Sequence, residues 1–277
     1  MERIKQALTR AREEQKGGGN FTLAEVRQHP AAAQTDLDFE YTQTKIVELD
    51  PKVLQKNRVL FEKKLDKKTD RAVSSYKLLR TQIEQRMLAK GWNTLAITSP
   101  GPGQGKSLTS LNLAISMAKA TYSSVLLVDL DMRKPSIHEY LGYEPEKGIA
   151  DCLTEDLPLG DILFNPGIER LVIAPGKQAV YNSSELLGSP KVGNLVNEMK
   201  NRYQSRYVIF DLPPVLATDD AMAFAPHVDA MLMVIEDEAT TKDQLKQTLE
   251  MLEGTNIIGT VLNKSNAHSG NYYYYYN

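Results

Sequence analysis

Cysteine is almost absent from this chain of 277 residues: Cys152 stands alone. One cysteine excludes an intrachain disulfide framework and fits a reducing compartment. Within Ala150-Asp-Cys-Leu153 it reads as a small buried hydrophobe rather than a nucleophile. Long apolar runs are missing too, and none approaches the roughly 18–20 residues of a membrane span. The opening Met1-Glu-Arg-Ile-Lys-Gln6 is too polar for a secretory signal. Neither sign of charge prevails, with 33 Lys and Arg against 35 Asp and Glu, so nothing points to nucleic acid or another polyanion. No internal repeat is visible. These absences predict a cytoplasmic chain without a transmembrane segment, which reaches the membrane only through a partner.

The length suits one fairly large domain with a modest extension, at about 100–200 residues per domain. Residues 1–70 form the predicted extension. Met1, Ile4, Leu8 and Ala11 recur at helical spacing, and Gln15-Lys-Gly-Gly-Gly19 breaks that segment. It reads either as a frayed helix or as a docking peptide for another protein. From Lys52 to Arg71 charges of both signs interleave, as on a solvated helix face or a surface for acidic headgroups or a phosphorylated tail.

Beyond residue 71 the pattern is regular. Arg71 to Lys90 has helical periodicity, closed by Gly91. Thr94–Ser99, Ser124–Asp129, Arg170–Ala174, Arg206–Asp211, Asp229–Ile235 and Asn256–Leu262 are continuous apolar runs, as strands buried on both faces look. Helical segments separate them, including Lys106–Ala120, Pro190–Gln204 and Lys242–Glu253. That alternation predicts an α/β fold, a mostly parallel sheet covered by helices on both faces. It fills residues 71–263 and leaves 264–277 as a polar tail.

Gly103-Gln-Gly-Lys-Ser107 follows a predicted strand and opens a predicted helix, the context of a phosphate-binding loop. N–H groups at the helix start bind phosphate oxygens. Lys106 is expected to reach the β- and γ-phosphates of a nucleotide and Ser107 to meet Mg²⁺. The strict pattern wants glycine where this chain has Pro100, but Gly101, Gly103 and Gly105 still free the loop to wrap a phosphate. Asp129, Asp131 and Arg133 follow one strand and Asp211 follows another. Ligands of open parallel sheets bind beyond the carboxyl ends of the strands, so these groups should converge on the loop. The tail carries five consecutive tyrosines, Tyr272, Tyr273, Tyr274, Tyr275 and Tyr276, after a polar tether that contains glycine. A nucleotide site with a tethered row of phenols suggests phosphoryl transfer onto the chain's own tail.

Pro100-Gly-Pro-Gly-Gln-Gly-Lys-Ser107, Asp129-x-Asp131-x-Arg133, Asp211-x-x-Pro214 and the tyrosine cluster resemble the Walker motifs and tail of bacterial tyrosine autokinases, the cytoplasmic kinases of capsule and exopolysaccharide export. The resemblance runs from about Ser74 to the end. Asn182-Ser-Ser-Glu-Leu-Leu187, Val261-Leu-Asn-Lys264 and Ile4-Lys-Gln-Ala-Leu8 further resemble the subgroup of exosortase-linked polysaccharide loci. The resemblance implies ATP and Mg²⁺ as cofactors, with Lys106 and Ser107 on phosphate and metal. It implies that Asp129 orients or deprotonates the incoming tyrosine, that Asp131 and Asp211 position Mg²⁺, and that Arg133 stabilises developing charge. Gly101, Gly103, Gln104, Gly105, Leu108 and Asn263 join the nucleotide site by the same resemblance. So do the partners: a membrane polysaccharide co-polymerase as activator, a cognate tyrosine phosphatase, and further copies of the chain for phosphorylation in trans.

One motif departs from the family. Its ring-forming Glu-x-x-Arg-x-x-Arg is here Ser74-Ser-Tyr-Lys77-Leu-Leu-Arg80. Lys77 lacks the planar fork and Ser74 cannot pair with a cation, which puts that ring contact in doubt. The rival reading is a deviant-Walker ATPase switch for membrane or DNA positioning, of the MinD or ParA type. Such proteins place a signature lysine where this chain has Gly101, and they have no use for a tyrosine tail. A scaffold that only binds nucleotide would not need Lys106, Asp129, Asp131 and Asp211 together.

Overall fold

A computed structural model describes residues 44–61, 67–120, 123–201 and 206–265. The segment Met1 to Ala11 and the tyrosines 272–276 lie outside them. The described strands are β1 (Lys45–Ile46), β2 (Thr94–Thr98), β3 (Ser124–Asp129), β4 (Phe164–Asn165), β5 (Leu171–Ala174), β6 (Arg206–Asp211), β7 (Ala230–Glu236) and β8 (Ile257–Asn263). The α-helices are α1 (Pro51–Lys56), α2 (Lys67–Lys90), α3 (Lys106–Ala118), α4 (Ile137–Leu141), α5 (Ile149–Thr154), α6 (Ser183–Leu187), α7 (Pro190–Asn201), α8 (Asp220–Phe224) and α9 (Lys242–Met251).

The strands form one sheet in the order β1-β4-β5-β3-β6-β2-β7-β8. Six strands run parallel; β4 is antiparallel to β5, and β1 runs with β4. The apolar runs of β2, β3, β5, β6 and β7 are continuous because both sheet faces are covered there. By contrast β8, expected to be buried on both faces, is a half-exposed edge strand with Leu262 53% exposed. In β3, Leu126 and Val128 point into one core with Ile149, Val192, Val196 and Phe224 from α5, α7 and α8. Val125 and Leu127 point into the opposite core with Ile83 and Met87 of α2 and Leu111 and Ile115 of α3. Burying each such side chain contributes about 1.5–3 kcal/mol, so the two layers hold the central strands rigidly.

Element ends move by a few residues from the predicted ones. Arg170 has φ 66, a left-handed turn into β5, so that strand starts at Leu171. The larger difference is at the amino end. The predicted extension to residue 70 contains a packed segment, because residues 44–61 join the same compact unit as the sheet. Asp50 caps α1, its Oδ1 accepting from Lys52 N at 2.8 Å, with Pro51 at the first helical position. Leu54 is buried, Asn57 Nδ2 donates to the carbonyls of Glu139 and Tyr140, and Leu60 N donates to Asn112 Oδ1 at 2.9 Å. Lys52, Lys56 and Arg58 are exposed on the outside of this segment, and the interleaved charges of the sequence conceal its apolar anchors.

The topology brings the chemistry together. β6 lies between β2 and β3, with Ile97 and Asp129 both in register with Asp211. The carboxyl ends of all three strands therefore meet at one sheet edge.

Candidate active site

β2 leaves the sheet at Thr98, and the chain turns through residues 99–105 into α3. The turn needs left-handed backbone at Gly103 (φ 77) and Gly105 (φ 89). The left-handed φ at Gly105 strains any side chain, and a Cβ there would also push against Asn263 Nδ2 at 2.2 Å, so glycine suits the position. Pro100 is compatible with the turn, and its carbonyl accepts from Leu216 N at 3.1 Å. On the other side, Asn263 Nδ2 donates to the Gln104 carbonyl at 2.8 Å and Lys264 Nζ to the Gly103 carbonyl at 2.8 Å. Lys264 is braced by Glu236, 2.9 Å away. With those carbonyls tied to the end of β8, the loop's N–H groups and the start of α3 are left for an anion.

Behind the loop, Lys106 Nζ lies 2.6 Å from Asp131 Oδ2, 3.4 Å from Asp211 Oδ2 and 3.0 Å from Ser107 Oγ. Burial alone would lower the Lys106 pKa, but the charges of Asp211 and Asp131 outweigh it and hold the ammonium well above its usual range. Asp211 is fully buried, with Oδ1 accepting from Ser110 Oγ at 2.9 Å. Burial raises its carboxyl despite the pull of Lys106.

Asp129 is also fully buried. Its Oδ2 accepts from the N–H groups of Ser136 and Ile137 at 2.9 and 3.0 Å, and its Oδ1 from Asp131 N at 3.3 Å. Burial, followed by the neighbouring Asp211 charge, pushes its carboxyl up to about 7 against those hydrogen bonds and Lys106. Asp129 thus sits beneath the site and anchors the start of α4, whereas Asp131 faces the opening.

That opening is a cleft of about 520 Å³ lined by Lys106, Ser107, Asp131, Arg133, Tyr140 and Asn57 among others. Its size suits a small-molecule site. Gly103 and Gly105 line it as well. Gly101 and Gln104 are buried behind the loop, and Gln104 acts through the carbonyl that Asn263 holds. Leu108 is half-buried against the apolar layer beside α3, so its side chain packs rather than lines the cleft. Among the described residues no three His, Cys, Asp or Glu side chains cluster into a metal cage. Mg²⁺ at nucleotide sites usually takes one or two protein oxygens and receives the rest from phosphates and water. The Ser107 hydroxyl and the Asp131 carboxylate, both within reach of Lys106 Nζ, meet that donor set.

No motif in the sequence marks Asn57, Tyr140, Ser110 or Glu236, and Lys264 stands out only as the end of Val261-Leu-Asn-Lys264. Ser110 could still be inferred, lying one helical turn beyond Lys106 on the same face. Asn57 had no such signal, since its place depends on how residues 44–61 pack. In the altered ring motif, Lys77 is exposed, while Arg80 is turned inward, donating to the Ser116 carbonyl at 3.1 Å and lying 3.7 Å from Glu84.

Residues 92–264 match a family model described as an AAA domain. The chain is 30% identical over 203 residues to the tyrosine-protein kinase YwqD of Bacillus subtilis, covering 73% of this chain and 84% of that one. It is 32% identical over 197 residues to the tyrosine-protein kinase wzc of Salmonella typhimurium, 70% of this chain. It spans 27% of the length of wzc and of the EpsB proteins from two Ralstonia species. The kinase domain of the Escherichia coli tyrosine kinase ETK superposes with a TM-score of 0.65 at 29% identity, covering 73% of this chain and 80% of that one. A phosphate loop on a parallel sheet, strand-end acids gathered around Lys106, and these relatives together place the chain in the bacterial tyrosine-protein kinase family.

Proposed function

We propose that this chain is an ATP-dependent protein-tyrosine autokinase whose acceptors are Tyr272–Tyr276, phosphorylated mainly in trans between copies. The observation that carries the reading is the meeting of Lys106 with Asp131 and Asp211 beneath the phosphate loop. In it, Lys106 and the N–H groups at the start of α3 hold the β- and γ-phosphates. Ser107 and Asp131 would hold Mg²⁺, with Asp211 behind them, and the metal would supply charge neutralisation at the phosphates. Asp129 lies beneath the cleft, so taking the phenolic proton requires the incoming hydroxyl to reach past Asp131 to Oδ1; its proton affinity near neutrality suits that task. The new bond joins the phenolic oxygen to the γ-phosphorus, the bond to the β-phosphate oxygen breaks, and ADP leaves. Arg133 at the cleft wall stabilises the charge that develops.

The kinase serves polysaccharide polymerisation and export in this reading, activated by a membrane co-polymerase and reset by a tyrosine phosphatase. No helix among the described residues is long and apolar enough to cross a membrane, consistent with membrane contact through a partner. The rival positioning ATPase shares the fold, so the fold does not separate the two. Gly101 in place of the signature lysine and the tyrosine run favour the kinase. Incubating the dephosphorylated protein with Mg·ATP tests the proposal. The parent should acquire phosphotyrosine and Lys106→Met should not; equal labelling of both would remove the assigned site.

A further inference from the structure

Asp220, the first residue of α8, is fully buried, and neither of its carboxylate oxygens has a hydrogen-bond partner. A buried carboxylate without hydrogen bonds is costly unless a counter-charge compensates it. Capping α8 does not explain it, because an acid that caps a helix accepts a hydrogen bond from the helix N–H groups and Asp220 accepts none. One cation is at hand: Arg133 Nη2 lies 3.5 Å from Asp220 Oδ1, the sole ion pair of this carboxylate among the described residues. Arg133 itself sits on the turn after β3 and lines the cleft beside Lys106 and Asp131, with its side chain 37% exposed.

The two ends of this pair differ. Arginine on a surface turn is long and would lose rotamer freedom on ordering. Asp220 is fully buried at the start of α8, so its carboxylate is the more fixed end of the pair. The carboxylate therefore draws one edge of the guanidinium to a fixed point, and the remaining N–H donors of the planar fork stay available at the cleft. We propose that Asp220 is a positioning residue for Arg133, a buried counter-ion that fixes the guanidinium where charge develops on the transferred phosphoryl group. This rests on the kinase reading for the identity of that charge, but the coupling of the two residues does not.

A double-mutant cycle on the full chain tests it, using Arg133→Gln, Asp220→Asn and the pair together. Each protein is measured for thermal unfolding, Mg·ADP affinity, ATP hydrolysis and tyrosine transfer. Arg133→Gln strands the buried carboxylate, so its melting temperature should fall by several degrees, and adding Asp220→Asn should recover most of that loss. In turnover, Arg133→Gln should cost about 10²-fold, in line with loss of one preorganised donor. Asp220→Asn should slow turnover while changing Mg·ADP affinity little, and it should cost nothing further once Arg133 is gone. Additive losses in melting temperature and turnover would overturn the proposal, as would an Asp220→Asn protein that fails to fold. If the kinase reading alone is wrong, tail labelling is absent in the parent while the thermal coupling persists.

Discussion

Lys106 and Asp131 form an ion pair of 2.6 Å inside the protein, their side chains only 10% and 6% exposed. Asp211 Oδ2 lies 3.4 Å from the same ammonium, with its side chain fully buried. One cation thus holds the strand-end acids of β3 and β6 at one point. Its removal should be felt in stability as well as in chemistry.

Lys106→Met leaves those buried carboxylates without a counter-charge. Breaking a buried pair in this way costs about 3–5 kcal/mol. The loss should be largest where the acids are ionised. Burial already raises Asp129 to about 7 and raises Asp211, and without Lys106 both rise further. An acid raised in the folded state contributes stability below its unfolded pKa, and that contribution is lost as pH rises through the folded pKa. Urea unfolding at about pH 5.5 and about pH 8 should therefore show the deficit of Lys106→Met growing with pH. A pH-independent deficit would argue against the shared cation.

Asp129 gives a second pH signature. Between the ordinary carboxylate value near 4 and the folded value of about 7, the native state keeps a proton that the unfolded state releases. Its contribution to stability should fall across that window as pH rises, and Asp129→Asn should flatten the fall. Transfer runs the other way, since a base must be deprotonated. The rate should climb with pH through about 7 in the parent, and Asp129→Asn should lose that limb together with about 10²–10⁴-fold in rate. A retained limb in the variant would remove Asp129 as the base.

The end of β8 should control the loop. Asn263 and Lys264 each hold one loop carbonyl at 2.8 Å, and a hydrogen bond of this kind contributes about 0.5–1.5 kcal/mol. Asn263→Ala and Lys264→Ala should each weaken Mg·ADP binding by about 2–10-fold in calorimetric titration, the size of one such bond. Gly105→Ala should be worse than either, because it combines φ 89 with a 2.2 Å clash against Asn263. Unchanged affinity in Asn263→Ala would free the loop from this clamp.

Leu54 lies upstream of the boundary that the sequence suggests, yet it is 1% exposed. Leu54→Ala should destabilise the protein by about 2–5 kcal/mol in urea unfolding, as a buried leucine does. A solvated extension would show almost no change.

The chemistry was legible because phosphate binding demands local spacing. Lys106 must open a helix after a strand, and Asp129 and Asp211 must end buried strands, so short stretches of sequence carry those positions. The convergence of the acids followed from parallel strands, and the register of Asp129 with Asp211 bears it out. What was hidden depends on contacts between distant segments. Asn57 reaches α4 through the packing of α1, and Asp220 meets Arg133 across the end of the sheet. No periodicity encodes either. Leu108 shows the converse case: it sits inside the motif, but helical geometry turns its side chain into the apolar layer.

The central claim is that the tyrosine cluster accepts the phosphate. Tandem mass spectrometry of the dephosphorylated full chain after incubation with Mg·ATP tests it most directly. Phosphate confined mainly to Tyr272–Tyr276 is the predicted result. An unmodified tail in a protein that still turns over ATP would contradict the account and return the chain to the class of positioning ATPases.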